Sequence, residues 1–173
     1  TPSASTLDPV SSDAGTVAFL LCDIEGSTRL VHETGSDYAS ILHGVRRILR
    51  DAVTGHRGSV IDAYGHEVFA VFESFDDAVA AAVDGQRAMI EEPWPGDRDV
   101  RVRMGIHVGQ PHLTEDGYTG IDVHRAARIG SAGHGGQIVV SQTTAELVRG
   151  SLPEGATLAP LGDYRLKDLG PAQ

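Results

Sequence analysis

The sequence is short of several things at once, and each shortage narrows the field. It has a single cysteine, Cys22, so an internal disulfide is excluded. That residue lies inside an apolar run, where a buried thiol in a reducing compartment is the expected state. It has a single lysine, Lys167, and a formal net charge of −10. Affinity for a nucleic-acid backbone needs clustered basic side chains, so no nucleic-acid partner is expected. A small anionic ligand needs only a few local donors and stays open. No apolar run approaches the roughly 20 residues that span a bilayer, so no membrane span is expected. Residues 1–15 (TPSASTLDPVSSDAG) lack the basic start and apolar centre of a signal peptide. They read as a flexible lead-in, and the expected location is cytoplasmic.

What is present suits one globular domain over residues 16–173. The chain has 173 residues, 40% hydrophobic and 22% charged, enough for a sizeable core. Thr16 to Cys22 (TVAFLLC) is a short continuous apolar run, which predicts a buried strand ending at Asp23. A helix start is placed at Ser27 or Thr28. From Ser36 the apolar positions Tyr38, Ile41, Leu42, Val45, Ile48 and Leu49 have helical spacing. Ser59 to Ala63 and Val68 to Phe72 read as strands joined by Tyr64-Gly65-His66-Glu67, a hairpin. Phe75 to Ile90 is a second amphipathic helix, stopped by Pro93 and Pro95. Val100 to Val108 alternates strictly, predicting a half-buried strand. Asp116-Gly117 marks a turn, 121–129 a helix, 130–136 a loop, 137–140 a strand and 143–148 a short helix; 158–164 is a last extended piece. This order predicts an α+β sandwich, with helices packed on a largely antiparallel sheet.

The stretch Asp23-Ile24-Glu25-Gly26-Ser27-Thr28 is the first with chemical content. A carboxylate at the end of a buried strand can hold a divalent cation. The glycine permits close backbone approach, and the amides of a following helix can take phosphate oxygens. The same letters also read as an N-terminal cap with an incidental aspartate. The glycine-rich 130–136 segment lacks the lysine of a phosphate-binding loop and follows a helix instead of preceding one. His107 and His112 have no helix-spaced partner and read as ordinary surface or core histidines. Trp94, between two prolines, reads as a packing anchor.

Val17 to Leu30 (VAFLLCDIEGSTRL) resembles the opening of the class III adenylyl and guanylyl cyclase homology domain, in an actinobacterial-like form. Tyr118 to Ile129 (YTGIDVHRAARI), Gly133 to Ser141 (GHGGQIVVS) and Tyr164 to Leu169 (YRLKDL) resemble its later blocks, in order. The resemblance covers residues 16–169. It implies a ferredoxin-like cyclase fold whose last strand would follow Leu169. It implies a homodimer with sites at the subunit interface, taking ATP or GTP with Mg²⁺ or Mn²⁺ and forming a 3′,5′-cyclic nucleotide and pyrophosphate.

Carried over by position, the resemblance makes Asp23 a metal aspartate and Ile24 a backbone-carbonyl metal ligand. It makes Gly26, Ser27 and Thr28 the phosphate-holding turn, and Arg128 the transition-state arginine. Four positions depart from the pattern. The second metal aspartate falls at His66, and a neutral imidazole is a poor partner for Mg²⁺, so the second cation site is weakened. His66 also reads as a plain hairpin residue. The adenine-contacting lysine falls at Asp62, whose carboxylate suits the donor edge of guanine but also reads as a surface charge. The second base-reading position falls at Ile121, which offers no polar contact. The ribose-binding asparagine falls at His124, which can donate one hydrogen bond. Two readings follow: a cyclase with weak or altered activity, or a dead pseudo-cyclase that serves as a nucleotide-binding or dimerising regulatory module.

Overall fold

A computed structural model describes residues 15–115, 117–163 and 166, with backbone alone at Tyr64. The lead-in at 1–14, Asp116, Lys167 and most of the 164–169 block lie outside the described residues. Strand β1, Val17–Ile24, is the central element. Its side chains alternate between two layers. Ala18, Leu20, Cys22 and Ile24 enter the larger core, while Val17, Phe19 and Leu21 enter a smaller one on the opposite face. Asp23 follows the second set by alternation.

A glycine with φ 62°, Gly26, turns the chain from β1 into α1, Ser27–Thr34. A 3₁₀ turn at Gly35–Asp37 leads into α2, Tyr38–Gly55. Then come β2, Ser59–Tyr64, β3, Glu67–Phe72, and α3, Phe75–Glu91. Strand β4, Val102–Gly109, follows, with the short hairpin β5, His112–Thr114, and β6, Gly117–Thr119. Helix α4 is Ile121–Ala132, β7 is Ile138–Val140 and α5 is Gln142–Val148. The main sheet runs β2-β3-β1-β4-β7. Only the β4–β7 pair is parallel, so the sheet is antiparallel in the main, as expected. Among the described residues no helix is long and apolar enough to cross a membrane.

The two faces are covered unequally. Helices α2 and α3 press Ile41, Val45, Ile48, Leu49, Val53, Ala78, Val79, Ala82 and Met89 onto one face. Ser74 caps α3 by accepting the Asp77 N–H at 3.4 Å, and Asp76 and Asp77 favour its positive end. Trp94 closes the edge of this layer: it is buried against Gly44 and donates Nε1–H to the Met89 carbonyl at 3.1 Å. The other face carries α4 and a thin cluster of Phe19, Phe69 and Tyr118, with ring centroids 5.8–6.5 Å apart.

Four expectations change. The β4 strand is buried on both faces from Met104 to Val108, because α4 covers the face that alternation had left open. Helix α4 takes in Gly130, Ser131 and Ala132, shortening the glycine-rich loop. Residues 158–163 join no sheet. Two strands that periodicity did not reveal, β5 and β6, each three residues long, form a small sheet of their own.

Candidate functional site

The end of β1 and the turn after it hold most of the candidates together. Asp23 is the penultimate residue of β1 and Ile24, fully buried, the last. Gly26 is the N-cap of α1, and Ser27 and Thr28 are its first residues. The N-cap within DIEGST is Gly26, and no side chain adds a capping hydrogen bond. Arginine and carboxylate side chains line a cleft of about 240 Å³ beside the turn, with Arg29, Arg98 and Arg101 facing Glu25, Glu33 and Asp99.

Asp23 is not free. Its carboxylate accepts two parallel hydrogen bonds from Arg103 of β4, Nε to Oδ1 at 2.8 Å and Nη2 to Oδ2 at 2.5 Å. Both side chains are about three-quarters buried or more, with 27% and 17% exposed. The pairing raises the Arg103 guanidinium, chiefly through the hydrogen bond to Asp23, against the cost of burial. Arg103 also reaches the Ser131 carbonyl at the C-terminal end of α4, at 3.5 Å. A guanidinium between a carboxylate and the negative end of a helix is well placed electrostatically.

Across the sheet Asp23 stands opposite Glu67 on β3 and Arg103 on β4. Directly opposed residues of an antiparallel pair point to one face, so Glu67, Asp23 and Arg103 form a row on the α4 side. His66 sits in the β2–β3 turn, half-exposed, next to Gly65 at φ 56°. Arg46 of α2 holds that turn by donating Nη2–H to the Gly65 carbonyl at 2.5 Å. Asp62 is exposed on β2, opposite Phe69 and beside a bulge.

The α4 candidates form their own group. At 100° per residue, Ile121, His124 and Arg128 share a stripe opposite the buried Ala126, Ile129 and Gly130. Ile121 is 55% exposed. The inward face is fixed by Asp122, which was not among the candidates. Its Oδ1 meets His107 Nε2 and Arg125 Nη1, each at 3.0 Å, and its Oδ2 accepts the Gln110 N–H at 3.1 Å. His107 Nδ1 meets Ser141 Oγ at 2.8 Å, and Ser141 meets Thr144 Oγ1 at 2.9 Å. Thr144 in turn accepts the Val108 N–H at 3.0 Å. Burial lowers the His107 pKa, with the Asp122 hydrogen bond opposing it.

The fold and these motifs meet in one finding: over residues 10–173 the chain matches the family of adenylate and guanylate cyclase catalytic domains. It belongs to that family. An uncharacterised protein of Mycobacterium tuberculosis is 36% identical to this cyclase domain over 157 residues, 90% of this chain and 53% of that one. The cyclase domain thus spans about half the length of curated relatives it matches. Among solved structures, a Trypanosoma brucei adenylate cyclase in its monomeric state superposes with a TM-score of 0.84 at 20% identity, covering 94% of this chain and 91% of that one. The guanylate cyclase domain of RhGC from Catenaria anguillulae, in complex with GTP, does so with 0.78 at 18% identity, covering 91% and 92%. At these identities the likeness speaks for the fold.

Sequence reasoning missed Arg103, Glu67 and the Asp122–His107 pair. Arg103 and His107 fell on the supposedly open side of β4, and only the position of α4 shows what they touch. Glu67 was seen as a hairpin residue; its place beside Asp23 depends on register.

Proposed function

We propose that this cyclase domain binds a purine nucleoside triphosphate between two copies of itself and turns it over slowly to a 3′,5′-cyclic nucleotide and pyrophosphate. The observation that carries the reading is Asp23: a carboxylate at the end of a buried strand, next to a glycine turn and a helix start, but engaged by Arg103. Mg²⁺ or Mn²⁺ would supply charge neutralisation and activation of the 3′-hydroxyl. The donor set fits one hard cation, through Asp23 and the Ile24 backbone carbonyl. It fits a second poorly, because His66 offers nitrogen and no charge. Among the described residues no three His, Cys, Asp or Glu side chains converge as a metal cluster.

The chain's own groups then have these roles. The amides around Gly26, Ser27 and Thr28 take phosphate oxygens. The 3′-hydroxyl attacks the α-phosphorus while pyrophosphate leaves, and Arg128 from the partner copy offsets charge on the pentavalent phosphorus. His124 donates to the ribose. Asp62 accepts from guanine N1–H and the exocyclic amine, which favours GTP over ATP. Ile121 contributes apolar contact alone. The complex of a structural neighbour with GTP supports a purine triphosphate in this fold.

The Asp23–Arg103 pair also favours a second reading, a dimerising nucleotide-binding module without turnover, since a carboxylate already matched by a guanidinium is a weaker cation ligand. The deciding experiment detects cyclic product by mass, with ATP and GTP, each with Mg²⁺ and Mn²⁺, and Asp23→Ala as control. Slow product from GTP with Mn²⁺, absent in the control, is expected. No product in any combination from folded dimeric protein would leave the second reading.

A further inference from the structure

Helix α4 is seated closely on β4 at both ends. A Cβ on Gly105 would stand 2.3 Å from the backbone nitrogen of Gly130, and a Cβ on Gly109 would stand 2.3 Å from Oδ2 of Asp122. At the C-terminal end, then, backbone rests on backbone. At the N-terminal end one carboxylate fills the space that Gly109 leaves and takes three hydrogen-bond donors.

The proton assignments along this chain of bonds are constrained. The Asp122 carboxylate only accepts, so His107 donates from Nε2. A neutral imidazole then accepts at Nδ1, and Ser141 donates to it. Ser141 Oγ accepts from the Thr144 N–H at 3.3 Å, which caps α5. The network thus ties α4 to β4 and to the β7–α5 junction, with Asp122, His107, Ser141 and Thr144 all partnered when His107 is neutral and the buried Arg125 Nε left without a partner. The groups facing His107 are Asp122 and Arg125 of α4 and the hydroxyls of Ser141 and Thr144.

We propose that Asp122, fixed by His107, is a positioning residue that sets the rotation of α4 and thereby aims the stripe of Ile121, His124 and Arg128 at a nucleotide. The proposal rests on the cyclase reading for what the stripe meets, but the clamp itself is a property of the fold. Asp122 lies on the face of α4 opposite the stripe, so it acts through the helix and touches no ligand. Without the carboxylate, the first two turns of α4 keep the apolar contacts of Val123 and Ala126. A roll of the helix about its Gly130 seat would then move Arg128 and His124 together.

The test compares wild type, Asp122→Ala, Asp122→Asn, Arg128→Ala and the Asp122→Ala/Arg128→Ala double variant. Amide hydrogen exchange reads the clamp and mant-GTP binding with Mn²⁺ reads the aim. The expected result is exchange at least about tenfold faster at residues 121–125 in Asp122→Ala, with β1 and β3 unchanged. Loss of mant-GTP affinity in Asp122→Ala should be at least that of Arg128→Ala, and the double variant should lose no more than Asp122→Ala alone, as for residues acting through one another. Asp122→Asn keeps an oxygen acceptor for His107 and Arg125 while its amide nitrogen faces the Gln110 N–H, so it should restore part of both, which also covers an Asp122→Ala that does not fold. Unchanged exchange at 121–125, exchange raised evenly across the sheet, or additive affinity losses would overturn the proposal. If the wild type binds no mant-GTP, the cyclase reading fails, and the exchange result decides the clamp by itself.

Discussion

Two buried residues turn local environment into measurable chemistry. Cys22 lies at 2% exposure in the larger core, where burial pushes its thiol pKa far up, with the Asp23 charge adding to the effect. It should not react with a thiol-specific disulfide reagent in the folded protein and should react fully in urea; a fast native-state reaction would contradict the burial. His107 behaves in the opposite sense to a salt-bridged histidine. Its folded pKa is lowered, so the unfolded chain binds a proton at this site first as pH falls. The stability contributed by neutral His107 is therefore complete above the ordinary value of about 6.5 and is lost as pH drops from there toward the folded value. The urea midpoint should fall between about pH 7 and pH 5. The fall should be smaller in His107→Gln, a comparison that cancels the other histidines and the carboxylates.

Elements with long, strong periodicity were legible in the sequence; contacts between them were not. The apolar spacing of residues 38–49 announced α2, and the continuous run from 16 to 22 announced β1. The three-residue strands β5 and β6 carry too few side chains for a period to show. The metal-side candidates were legible as a motif, because Asp23, Ile24, Gly26, Ser27 and Thr28 are contiguous. Arg103, eighty residues along the chain from Asp23, was not, because strand pairing brings it there. The seating of α4 was likewise invisible, though it makes a sharp prediction. Gly109→Ala would drive a methyl into the Asp122 carboxylate, so it should destabilise the domain by about 1–3 kcal/mol, read as a lower urea midpoint with unchanged slope. An unaltered midpoint would show that α4 has room to move.

At the scale of the whole molecule, two unequal layers share one sheet. The heavy α2–α3 layer holds the larger core, and the thin α4 layer covers the smaller one. Central strand β1 precedes in sequence both strands that flank it, since its neighbours β3 and β4 begin at Glu67 and Val102. During synthesis this strand leaves the ribosome long before either partner exists. One of its edges stays unpaired until residue 72 has emerged and the other until residue 109. An apolar segment such as VAFLLC, with no charge of its own, is then a template for association between nascent chains. The arrangement that gives Asp23 its place in the middle of the sheet also makes the first-made strand depend on chaperones or on fast translation for safe passage.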